Sequence, residues 1–130
     1  MIDIDYIMEL LDWHRSASDQ AKGIALAENV QNFNVFLQPC QKNFNINVWE
    51  NCAKIISKRT DEELTPYLTR LMEWLQDLNW PGATMIADRL KQYQDDKNFN
   101  FCYNECLKRA EKLDDEMWAE WLQLIRRETV

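Results

Sequence analysis

A chain of 130 residues, 46% of them hydrophobic, has the length of one domain and enough apolar material for a core, which argues against disorder. Its net charge of -7, from 22 acidic and 15 basic residues, opposes nonspecific binding to nucleic acid and docking on an anionic membrane, because both rely on Lys and Arg. Only two glycines and three prolines occur, too few for the turns of an all-β or dinucleotide-binding domain. The composition therefore favours helices joined by short polar loops.

The opening Met1-Ile2-Asp3-Ile4-Asp5 has the wrong charge for a signal peptide, and no apolar run approaches the ~20 residues of a membrane span. A cytoplasmic location follows as an expectation, with the four cysteines as free thiols.

In chain order, the spacing predicts a first helix over 3–13, with Ile4, Ile7, Met8 and Leu11 on one face and Tyr6, Leu10 and Trp13 as a second apolar side. Ser16 or Ser18 caps a second helix to about Val30, with Ala21, Ile24, Ala25 and Ala17 expected inward and Gly23 marking tight packing. Residues 31–44 read as irregular, with Phe33, Val35, Phe36 and Leu37 folding back as an apolar anchor before Pro39. A third helix over 46–58 places Trp49, Cys52, Ala53 and Ile56 inward; Lys58 and Arg59 end it, and Thr60 begins the next boundary.

Pro66 suggests a turn at 61–64 followed by a helix from Pro66 to about Asp77, striped by Leu68, Leu71, Leu75 and Leu78. By the same rule Pro81 is expected to open a fifth helix, with Ala83, Ile86, Leu90 and Tyr93 inward. A sixth helix over 98–112 carries Phe99, Cys102, Tyr103, Cys106 and Ala110. Asp114, Asp115 and Glu116 open a seventh, with Trp118, Trp121, Leu122 and Ile125 inward and Arg126 and Arg127 at its C-terminus. Trp49, Trp80 and Trp118 each stand near a helix start, a weak internal repeat. The expected fold is therefore all-α: about seven helices stacked as antiparallel hairpins in a HEAT-like right-handed array, forming a single domain over 1–130.

The stretches "DWHRSASDQAKGIALA" (12–27), "VWENCAKIISKRTDEELTPYL" (48–68) and "WLQDLNWPGA" (74–83) together resemble a bacterial family of small helical domains catalogued as a domain of unknown function. The resemblance is clearest over about residues 5–93 and less distinctive over the last two helices, and its WLQD-x-NWP block is the specific part. It implies an all-helical, HEAT-like fold and no established enzymatic activity, with no catalytic residues to carry over.

Individual residues offer little chemistry. His14, near Asp12 and Ser16, lacks the distant partners of a triad and is expected to interact with the end of the first helix. Cys102 and Cys106 share a helix face, but Cys40, Cys52 and His14 form no second close pair, so packing is expected and metal is not. Glu73 with Asp77, and Glu9 with Asp12, lie along one helix each, where a solvated face is the ordinary outcome. No catalytic, cofactor or metal site is assigned.

The six tryptophans are the distinctive feature. Trp74 and Trp80 read either as wedges setting an inter-helix angle or as contacts for a partner. The candidate contact set is Trp74, Asp77, Asn79 and Trp80, with Trp13 and Asp12. The functional expectation is a non-catalytic protein-interaction domain, one form of which is an immunity-type inhibitor meeting a basic protein through an acidic groove. The alternative is an enzyme or small-molecule binder using a groove between hairpins.

Overall fold

The computed structural model describes residues 3–39 and 45–127, and every regular element among them is helical. Cys40 lies outside the described residues.

Helix α1 (Ile4–Leu11) is capped by the Asp3 carboxylate, which accepts from the Tyr6 N–H at 3.1 Å. It stops before the predicted end because Asp12 turns extended and its carboxylate takes the His14 N–H at 2.8 Å. The second apolar side is therefore covered only at Leu10, while Tyr6 and Trp13 stay exposed.

Helix α2 (Ala17–Ala27) is capped by Ser16. Its inward face is centred on Gly23 and Ala27, which turns Ala17, Ala21 and Ala25 to solvent, contrary to expectation. Gly23 fixes that rotation: a Cβ there would stand 2.9 Å from Leu10 Cβ, so α1 and α2 approach where no side chain intervenes. A 3₁₀ turn at Phe33–Phe36 then buries Phe33, Phe36 and Leu37 as the expected anchor.

Helix α3 (Trp49–Ser57) follows a 3₁₀ turn at Ile46–Val48 and buries Cys52, Ala53, Ile55 and Ile56. Asn51, also buried, donates to Leu11 O at 2.7 Å and Gln20 Oε1 at 2.9 Å, tying α3 to the first two helices.

The turn expected at 61–64 is instead helix α4 (Asp61–Leu64). Thr60 and Glu63 form a reciprocal capping box that starts the helix five residues before Pro66. Thr65 keeps helical backbone, and the chain narrows to a 3₁₀ turn at Thr65–Tyr67 instead of breaking. It continues as α5 (Leu68–Glu73) and a 3₁₀ turn at Trp74–Gln76, one continuous rod.

Helix α6 (Ala83–Lys91) starts later than predicted: Gly82, at φ 85, is its N-cap, and Pro81 lies in the preceding turn. Ala83, Ile86, Leu90 and Tyr93 are buried as expected. Helices α7 (Asp96–Lys112) and α8 (Glu116–Leu122) are capped by Asp95 and Asp115. Phe99, Tyr103, Cys106, Ala110, Trp118, Leu122 and Ile125 are buried, with Cys102 and Trp121 half-buried.

Helix α1 pairs with α2 and α7 with α8, but α3 packs mainly on α6 and α5 on α7. The middle of the chain thus interleaves where strictly sequential hairpins were expected.

Three arginines join helix ends across this arrangement. Arg59 donates to Ala27 O at the end of α2 and to Val30 O beyond it, and pairs with Glu63 of α4. Arg89 donates to Arg59 O after α3 and to the Asp61 carboxylate at 2.6 Å. Arg127 donates to Leu90 O near the end of α6 and pairs with Asp96 at the start of α7. Each puts a cation at the carbonyl end of a helix and binds an acid at a following helix start. Arg127 was expected to serve its own helix and serves α6 instead.

Candidate functional site

The corner between the α5 rod and α6 is held by local hydrogen bonds. Asp77 is extended, and its carboxylate accepts from the Asn79 N–H at 2.8 Å while its carbonyl accepts from the Trp80 N–H at 3.0 Å. Trp80 O then accepts from the Ala83 N–H at 3.1 Å. Gly82 has the left-handed backbone that completes the turn, and a Cβ on it would lie 2.6 Å from Ala53 Cβ. The corner is therefore pressed directly onto α3.

The two tryptophans separate at this corner. Trp74 is fully buried, and its indole N–H donates to Pro81 O at 3.2 Å. It presents no ring to the surface of the chain. Trp80 is half-buried, and its ring meets Trp49 edge-to-face with centroids 5.6 Å apart.

Trp80 and Trp49 line a groove of about 450 Å³, shared with Gln38, Pro39, Arg70, Glu73 and Gln76. Asp77 and Asn79 hold the corner behind it by hydrogen bonds within the turn. Trp13 and Asp12 belong to the end of α1, where the Trp13 N–H donates to Asn47 O at 3.1 Å, two residues before Trp49. Trp13 is 40% exposed.

Four groove residues, Gln38, Arg70, Glu73 and Gln76, carried no sequence signal as a set, because Gln38 lies far along the chain from the α5 rod that carries the other three. Glu73 was expected on a solvated face with Asp77. It is an ion-pair hub instead, 2.9 Å from Arg109 on α7 and 3.7 Å from Arg70.

Elsewhere the titratable groups have structural surroundings. His14 is 74% exposed, and its Nδ1 lies 3.0 Å from the Asp12 carboxylate, not on helix carbonyls as expected. The His14 backbone N–H, set against slight desolvation, holds Asp12 below its ordinary pKa. Burial pushes the Cys106 thiol up to about 12 and raises Cys52 as well, which keeps both protonated and poorly nucleophilic. Among the described residues, Cys52, Cys102 and Cys106 are free, and no group of three or more His, Cys, Asp or Glu side chains is placed to hold a metal ion. No described helix is long and apolar enough to cross a membrane.

The family model described as Domain of unknown function (DUF5071) matches residues 49–129. This runs from α3 through α8, so the match takes in the last two helices, where the resemblance is less distinctive, and leaves out α1 and α2, where it is clear. No curated protein and no solved structure matches. The chain belongs to the DUF5071 family.

Proposed function

We propose that this member of the DUF5071 family is a non-catalytic protein-interaction domain that meets its partner over the groove beside Trp80. The observation that carries the reading is the edge-to-face pair of Trp49 and Trp80 at the groove. Half-buried tryptophan on a rigid corner presents large contact area at small entropic cost, the usual character of an interface hot spot. Gly82 pressed on Ala53 and Trp74 bonded to Pro81 O supply that rigidity.

The partner we favour is a basic protein, drawn by the net charge of -7. The groove itself is not acidic, since Arg70 and Glu73 balance within it. The steering charge lies instead along the edge of α1, at Asp3, Asp5, Glu9 and Asp12. An immunity-type inhibitor of a basic toxin is the form of such a domain that these features fit, within a stacked helical scaffold of HEAT-like kind.

Affinity capture at moderate salt with mass spectrometry tests the reading. A stoichiometric basic protein retained by the wild type and lost with Trp80→Ala supports it. No stoichiometric partner, or equal retention by both, counts against it.

A further inference from the structure

Among the described residues, four buried side-chain atoms lack a hydrogen-bond partner, and two belong to residues of the groove: Gln38 Oε1 and Trp49 Nε1. Gln38 is 1% exposed, and its amide nitrogen donates to Val35 O at 3.0 Å, which fixes the side chain and leaves the oxygen over. A buried acceptor and a buried donor left unmade each cost about 1–3 kcal/mol, so two such atoms on residues that line one groove ask for a complement.

The lining states what the complement is. One acceptor and one donor match the N–H and C=O of a peptide unit. Arg70 and Glu73, the two charged residues of the lining, answer one another across 3.7 Å, so neither is left over to hold a charged ligand. Pro39 and the Trp80 ring provide apolar surface beside them. A volume of about 450 Å³ suits one or two residues of extended chain.

We infer that the groove holds an uncharged, extended peptide segment of the protein partner, its N–H on Gln38 Oε1, its C=O on Trp49 Nε1 and an aliphatic side chain against Trp80. This rests on the protein-interaction reading and names the chemistry of the contact. Both polar atoms are shielded in the free protein, so the segment reaches them as side chains of the groove lining move aside.

The test uses the full ¹⁵N-labelled chain and its six indole N–H signals in NMR, titrated with N-acetyl-leucine N-methylamide and, separately, with the carboxylate N-acetyl-leucine. The diamide is expected to move the Trp49 and Trp80 signals and spare the fully buried Trp118. The carboxylate is expected to bind about tenfold more weakly. Gln38→Met, with its unfolding midpoint checked, is expected to weaken the diamide by about three- to tenfold, the loss of one net hydrogen bond. An unmoved Trp49 indole, equal binding of the two compounds, or an unaffected folded Gln38→Met variant would overturn the inference. Capture that still depends on Trp80 while the diamide moves no indole sinks this inference alone. Diamide binding without any captured partner sinks the protein-interaction reading alone.

Discussion

At the scale of single residues, the two corner tryptophans divide the work between packing and surface. Trp74 is enclosed and hydrogen-bonded, so Trp74→Ala should cost about 3–5 kcal/mol of unfolding free energy, while the half-buried Trp80→Ala should cost about 1–2. Urea denaturation of the two variants checks the order, and equal losses would contradict it. Gly82→Ala meets both a left-handed backbone and a Cβ 2.6 Å from Ala53, so it should destabilise by about 2–4 kcal/mol in the same assay. Cys52 and Cys106 should resist iodoacetamide at pH 8 until the chain is unfolded, as their raised thiols imply. The corner itself was legible, because a residue before proline and a Pro-Gly pair are local signals. Which tryptophan faces outward was not, because that depends on Ala53 and Trp49, about 30 residues earlier in the chain.

At the scale of elements, the apolar stripes revealed nearly every helix, and the misplaced starts share one cause. The rule for residues before proline pushed two starts to Pro66 and Pro81, but a capping box at Thr60 and a left-handed glycine at position 82 decided them. Both devices stand in the sequence and outweighed the proline rule. The arginine joints were not legible: Arg59, Arg89 and Arg127 each bind carbonyls about 30 residues away or more, a pairing only the packed fold defines. Asp61 carries one of these joints. Partial burial acts to raise its pKa, but hydrogen bonds from Arg89 and the Gln94 N–H outweigh it and hold the carboxyl below its ordinary value. A depressed folded-state pKa adds stability above the unfolded value near 4, and that stability is lost as pH falls through the folded value. Urea midpoints measured from pH 6 down to pH 2 should therefore fall less steeply for Asp61→Asn than for the wild type. A parallel decline in both would show that the joint has no electrostatic share in stability.

At the scale of the whole molecule, the all-helical class followed from composition and period, whereas the pairing of α3 with α6 and α5 with α7 did not. Stripes say which face is buried and leave the choice of neighbour open. That pairing sets Trp49, at the start of α3, against Trp80, just before α6, and so forms the groove. With a net charge of -7, association with a basic partner should slow by roughly tenfold between low and physiological salt, read by stopped-flow fluorescence; a salt-independent rate would remove electrostatic steering. The most direct measurement compares two surfaces by calorimetric titration of the captured partner. Trp80→Ala should weaken binding by about tenfold or more, while Phe101→Ala, which removes a ring 69% exposed on α7, should leave it unchanged. Weakening by Phe101→Ala with full affinity in folded Trp80→Ala would place the interface on α7 and contradict the account.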